Sequence, residues 1–143
     1  MPARRSLTLI RGLNCRVKEG LINRDLLAYA AELGHTDSFV IADCGLPIPE
    51  HVPVVDVSVE FGYPEFFDVT GRLLPHIVAE SVVVAKEAPA AFGEELALYV
   101  ADAQQEIVSH EELKLLVADA KFVVRTGSVV PYSNVVVRCG VPF

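Results

Sequence analysis

The sequence has no tryptophan and only three cysteines, Cys15, Cys44 and Cys139. That odd number, without any C-x-x-C spacing, signals neither a disulfide framework nor a zinc site, and three reduced thiols are expected. Positive charge is also scarce. Twelve Lys and Arg stand against 19 Asp and Glu, for a net charge of −7. Nucleic acid and anionic membranes attract basic surfaces, so neither is expected as a partner. An uncharged or cationic small molecule, or a second copy of the chain, fits better. No apolar run approaches the roughly 18 residues of a membrane span. The early apolar stretch Leu7–Ile10 is interrupted by Arg11 and falls short of the ~7–15 residues that export requires. These absences point to the cytoplasm, with residues 1–17 an extension outside the core and the domain over 18–143. Phosphate loops are missing too, since neither G-x-G-x-x-G nor G-x-x-x-x-G-K-[ST] occurs. No G-x-S-x-G elbow supports a serine triad.

What is present is apolar and rich in valine. Hydrophobic residues make up 52% of 143, enough for one domain with a sizeable core. Asn23 caps an expected helix to about Leu33, closed by Gly34 and striped by Leu26, Tyr29, Ala30 and Leu33. Residues 38–42 are apolar without alternation, as in a strand covered on both faces. Residues 45–53 hold three prolines and form a loop. Val55, Val57 and Val59 alternate with polar residues, as in a half-buried strand. A second helix starts near Pro64, carries Phe66, Phe67, Thr70, Leu73 and Leu74, and ends at Pro75. Residues 77–86 read as a strand, APAAFGEEL as loop or short helix, and 96–100 as a strand. Ser109-His110-Glu111-Glu112 is a capping box opening the next helix, and strands follow at 121–125 and 135–139. The alternation favours an α/β fold, a single layered domain with a largely parallel central sheet flanked by helices.

Two histidines and an acid stand out. The stretch GHTDSFVIADCGLPIP places His35 just before the first strand and Asp43 where it stops. Ligands collect at the carboxyl ends of strands in open parallel sheets. The end of a preceding helix favours a protonated imidazole, and a histidine with a carboxylate can share acid and base work near neutral pH. The plainer alternative is an Asp43 that caps the turn at Gly45 and a His35 on a surface loop. His110, at the first position of its helix, sits where the dipole suits a neutral ring with one donor and one acceptor. Tyr132 and Asn134 supply uncharged donors and acceptors, suited to a polyhydroxylated ligand, although Pro131–Asn134 is also good turn chemistry. Cys44 reads as a bystander beside a carboxylate, and His51 and His76 have no partner at metal-ligand spacing.

The order of motifs is similar to that of the family of ribose pyranases and fucose mutarotases. It is carried by Gly34-His35-Thr36-Asp37, Asp43-Cys44-Gly45-Leu46-Pro47-Ile48-Pro49, Ser109-His110-Glu111, Arg125-Thr126-Gly127, Pro131-Tyr132-Ser133-Asn134 and Cys139-Gly140-Val141. The resemblance runs from about Lys18 to Phe143, and the L-P-I-P turn points to the ribose branch. It implies an isomerase exchanging the pyranose and furanose rings of free D-ribose without metal or organic cofactor. It puts His35 on the proton donor, and Asp43, His110, Tyr132 and Asn134 on sugar-binding positions. It also implies rings, pentamers that pair into decamers, with sites between subunits. Two departures are visible: Cys44 where relatives often carry alanine, and Ser128 where an acidic residue often follows Arg-Thr-Gly. The alternatives are a mutarotase for fucose or another monosaccharide, a non-catalytic sugar-binding ring, and a small hydrolase using Cys44.

Overall fold

A computed structural model describes residues 20–100 and 102–143. The expected extension over 1–17, with Cys15, lies outside the described residues. The elements in chain order are α1 (Arg24–Glu32), β1 (Ser38–Ala42), β2 (Val54–Asp56), α2 (Phe66–Leu73) followed by a 3-10 turn (Leu74–His76), β3 (Ala79–Ala85), α3 (Ala90–Ala97), β4 (Gln104–Val108), α4 (His110–Val117), β5 (Val123–Arg125) and β6 (Val135–Cys139).

The six strands form one sheet in the order β2-β5-β1-β6-β3-β4. β2, β5 and β1 pair in parallel, as do β3 and β4, while β6 runs antiparallel to both β1 and β3. Five strands therefore point one way and β6 the other, so the sheet is mixed. The reversal matters for the site. It carries the segment before β6 to the same edge as the carboxyl ends of the other five strands.

Both faces of the sheet are covered. Phe39, Ile41, Val55, Val82, Val84, Val124, Val135 and Val137 meet α1, α2 and α3 on one face. Val40, Ala42, Val83, Ala85, Val123 and Val136 meet Leu113 and Val117 of α4 on the other, together with Leu46 and Val52 from the proline loop. That explains the unalternating run in β1: successive side chains point to opposite faces, and each face needs apolar residues.

Local signals were followed at most helix starts. The Asn23 side chain accepts from the backbone N–H groups of Asp25 and Leu26 at 3.0 Å, and the Ser109 hydroxyl accepts from Glu112 at 3.1 Å. Helix α2 begins after Glu65, with a reciprocal Glu65–Asp68 box, one residue beyond Pro64. The APAAFGEEL segment is helical as α3.

Three expectations are corrected. Residues 96–100 are not a strand: Leu96 and Ala97 finish α3, and the chain then turns with Leu98 exposed. The strand lies later, at β4, where Gln-Gln-Glu gives no apolar pattern because it forms an exposed edge. The strand expected over 55–59 is cut to Val54–Asp56, and Val59 is exposed in the turn that follows. Helix α1 is closed by an extended Leu33 and not by Gly34, and the chain turns through Thr36, at a left-handed φ of 73°.

Candidate functional site

The carboxyl edge of the sheet gathers most of the expected residues. Asp43 follows β1, His110 follows β4 as the first residue of α4, and Thr126–Ser128 follow β5. In the antiparallel ladder Ile41 pairs with Val135. Continuing that register brings Asp43 beside the Ser133–Asn134 pair, some 90 positions away in the chain. A cavity of about 340 Å³ opens there, lined by Asp43 through Pro47, His110, and Ser128 through Tyr132. Its lining contains one carboxylate, one imidazole, one phenol and one thiol, and neither lysine nor arginine. Leu46, Val129 and Val130 supply apolar walls. This composition, a few polar groups on an apolar wall, suits a small uncharged polyol.

Asp43 is held firmly. Its Oδ1 accepts from the Gly45 backbone N–H at 2.9 Å, the turn expected from the sequence. Its Oδ2 accepts from the Asn134 side-chain amide at 3.3 Å, and its own backbone N–H donates to Asn134 Oδ1 at 2.9 Å. Asn134 is fully buried and does not line the cavity. The resemblance puts Asn134 on a sugar-binding position; in this chain its amide also binds Asp43, through Oδ1 and one hydrogen of Nδ2.

The His110 ring meets the Tyr132 ring edge to face, with centroids 5.0 Å apart and planes at 78°. Such a contact contributes about 0.5–1.5 kcal/mol beyond area burial and fixes the two rings together. The Glu87 carboxylate accepts the His110 backbone N–H with both oxygens at 3.1 Å, which anchors the start of α4. His110 Nδ1 is buried without a hydrogen-bond partner among the described residues.

Tyr132 has φ 63°, in the left-handed region that a bulky residue seldom adopts. A seam of buried hydroxyls holds that turn. Ser128 and Ser133 Oγ atoms are 3.0 Å apart, Ser133 donates to the Val130 carbonyl at 2.7 Å, and Ser128 accepts from the Val130 N–H at 3.3 Å. Thr126 donates to the Ala42 carbonyl at 2.8 Å and accepts from the Ser128 N–H. Sequence reasoning treated Ser128 as a lost charge. The structure makes it half of a hydroxyl pair with Ser133, a residue the sequence did not single out, and the Thr-Gly-Ser run was its only visible sign.

His35 is elsewhere. It lies exposed in the corner between α1 and β1, at the amino edge of the sheet, and does not line the cavity. Six strand steps separate Asp37 from Asp43, roughly 20 Å at about 3.3 Å per residue. Within one chain the histidine and the acid that bracket β1 are therefore not neighbours. Its own corner is constrained all the same. Thr36, β-branched, is held left-handed beside it, with its N–H donating to the Cys139 carbonyl at 3.1 Å. Strained backbone of this kind clusters at functional sites.

Away from the cavity, Asp56 at the end of β2 pairs with Arg125 at 3.4 Å. Burial works to raise its carboxyl, but hydrogen bonds from Ser58 and the Arg125 charge outweigh it and hold the group below the usual value. His51 binds the Ala118 carbonyl at 2.8 Å, tying the proline loop to the end of α4. Among the described residues no group of three or more His, Cys, Asp or Glu is placed to hold a metal ion. None of their helices is long and apolar enough to cross a membrane.

Comparison with known proteins matches residues 16–142 to the RbsD / FucU transport protein family. The chain is 48% identical over 128 residues to a D-ribose pyranase of Cutibacterium acnes, covering 88% of this chain and 98% of that protein. It is 46% identical over 126 residues to a D-ribose pyranase of Corynebacterium glutamicum, with the same shares covered. Among solved structures it resembles Bacillus subtilis RbsD complexed with D-ribose at 40% identity and a TM-score of 0.83, over 89% of this chain and 99% of that one. A fucose mutarotase from Streptococcus pneumoniae in complex with L-fucose shares the fold at 18% identity and a TM-score of 0.71, over 85% and 95% of the two chains. A match over nearly the whole domain, with relatives close to half identical, makes the chain a member of the RbsD / FucU transport protein family.

Proposed function

We propose that the chain is an intramolecular isomerase, a ribose pyranase that exchanges the pyranose and furanose forms of free D-ribose. The observation that carries this reading is the cation-free cavity of Asp43, His110 and Tyr132, in a chain 48% identical to a protein named for that activity. A phosphate ester would meet the Asp43 carboxylate there with no lysine or arginine to offset it.

The reaction balances within the sugar. The anomeric hydroxyl loses a proton, the ring oxygen gains one, and the C1–ring oxygen bond breaks to give the open aldehyde. Rotation presents the 4-hydroxyl to the carbonyl, and closure returns the protons in the reverse sense. No electron or group leaves the molecule, so the chemistry asks only for positioned acids and bases, each contributing about 10²–10⁴-fold. His35 passes the proton at the ring oxygen. Asp43, His110 and Tyr132 bind the sugar's hydroxyls and fix its orientation.

His35 reaches this cavity from an adjacent copy. Rings of five, pairing into ten, set the amino edge of one protomer against the carboxyl edge of the next. Supporting this are the exposure of His35, its distance from its own cavity, and the apolar Val59, Phe61, Val129 and Val130 left exposed near the cavity mouth. Saturation-transfer NMR on free ribose tests the activity. Absence of any rate effect by the assembled protein on ribose, with exchange of another monosaccharide accelerated, would replace the substrate.

A further inference from the structure

We propose that Asp37 is a positioning residue for the proton transfer: its carboxylate pins the backbone just ahead of His35 and so fixes the direction in which the imidazole leaves the amino edge of the sheet. The inference rests on the ribose reading above, in which His35 passes the proton. Residues 34–37 make one four-residue turn, closed by the Asp37 N–H on the Gly34 carbonyl at 3.1 Å. His35 and Thr36 are its central residues, and Thr36 carries the left-handed φ of 73° that the third position of a type II turn demands. The far side of the turn is tied to β6. Thr36 N–H donates to the Cys139 carbonyl at 3.1 Å, and Cys139 N–H to the Asp37 carbonyl at 2.8 Å. The near side has no such backbone support. Helix α1 closes at Leu33, whose N–H returns to Ala30, and no backbone carbonyl takes the Gly34 N–H among the described residues. Glycine also has more backbone freedom than any other residue. Rotation at Gly34 would swing the whole of His35.

The Asp37 side chain removes that freedom. Its Oδ2 accepts the Gly34 N–H at 2.8 Å, a bond strengthened by the charge on the acceptor. The chain on both sides of His35 is then held, while the residue itself is exposed. That is the geometry needed by an acid that must meet a ring oxygen outside its own protomer. Such a transfer is sensitive to aim: a displacement of about 1 Å costs roughly 10²-fold in rate. One hydrogen bond at the root of the imidazole therefore matters more to the rate than to the stability of the fold.

The test measures kcat and KM for ribose exchange in the assembled protein. Asp37→Ala is expected to lower kcat by about 10–10²-fold while KM stays within about twofold. Asp37→Asn keeps an acceptor oxygen for the Gly34 N–H and should recover most of that loss. In a His35→Ala background, Asp37→Ala should cost less than about twofold further, since the group it directs is gone. A purely structural role lowers both backgrounds alike, and that result overturns the proposal. So does an unchanged kcat in Asp37→Ala, or a rise in KM alone, the mark of a direct sugar contact. Where Asp37→Ala does not assemble, Asp37→Ser, whose hydroxyl falls one bond short of the carboxylate oxygen, takes its place in every comparison. A wild-type protein without ribose exchange would remove the substrate reading, whereas equal losses in both backgrounds of an active protein remove only this role.

Discussion

His35 and Asp43 stand at opposite ends of β1, one on the amino edge of the sheet and the other on the carboxyl edge. A site that uses both has to be completed by a second copy of the chain. Neither His35→Ala nor Asp43→Asn removes a core contact, so both variants are expected to fold and assemble. His35→Ala should lose ribose exchange by about 10²–10⁴-fold, and Asp43→Asn, which takes a charge-assisted bond from the sugar, by about 10–10²-fold. Unfolding the two together and letting them reassemble puts an intact His35 opposite an intact Asp43 at some boundaries. Random mixing should restore about a quarter of the wild-type rate. A mixture as inactive as its parents would place the two residues' work in separate steps or separate sites.

The His110–Tyr132 contact separates the phenol's packing from its hydrogen bond. Tyr132→Phe keeps the edge-to-face ring pair and the left-handed turn held by Ser128 and Ser133. Only the hydroxyl goes. A net hydrogen bond contributes about 0.5–1.5 kcal/mol, which sets a two- to tenfold rise in KM. The melting temperature should barely move. A wild-type KM in this variant would show that the Tyr132 hydroxyl binds no substrate.

Gly127 is fixed by the backbone opposite it. A Cβ at this position would stand 2.3 Å from the Tyr63 carbonyl oxygen and 2.6 Å from that of Glu60. The two segments are already bonded, with Gly62 N–H donating to Gly127 at 2.6 Å and Gly127 N–H to Pro64 at 2.9 Å. Backbone has no rotamer with which to give way. Gly127→Ala should therefore cost about 1–3 kcal/mol, a drop in Tm of roughly 3–10 °C by calorimetry. It should also disturb Ser128, the next residue and part of the cavity wall. An unchanged Tm would mean that the 60–64 turn is not seated on β5 as described.

Where each residue ends up shows what the sequence carries by itself. Asn23 and Ser109 announce their helices because capping is chemistry within three residues. The run Phe39–Ala42 announces a covered strand because both faces of β1 are buried. β4 was misplaced because an exposed edge strand needs no apolar residue, while Leu96 and Tyr99 supplied the wrong cue from the end of α3. Asp43, His110 and Tyr132 were legible as candidates by residue type and position at element ends. The bond between Asp43 and Asn134 was not, since it depends on β6 reversing direction between β1 and β3. The separation of His35 from Asp43 was hidden for a related reason: closeness along the chain says nothing about which end of a strand a residue occupies.

Two thiols are expected to behave in opposite ways. Cys139 is buried at the end of β6, and burial, with the Asp37 charge nearby, pushes its thiol up to about 11. At neutral pH it is a closed thiol without access for reagent. Cys44 is partly exposed and lines the cavity beside Asp43. Iodoacetamide at pH 7.5, about a physiological value, should label Cys44 and leave Cys139 unmodified when peptides are read by mass spectrometry. On the proposed reading the sugar and the reagent share one cavity, so free ribose in excess should slow labelling of Cys44, and ribose 5-phosphate should protect far less. The sign for Cys139 follows from a folded value above the ordinary 9.0. Its contribution to stability is complete below about pH 9 and is lost as pH rises towards 11. Cys139→Ala should therefore flatten the alkaline fall in stability relative to wild type, while losing some stability at every pH from the cavity it leaves. Labelling of Cys139 at neutral pH in the folded protein would contradict the closed end of β6, and labelling of Cys44 indifferent to ribose would move the sugar out of this cavity.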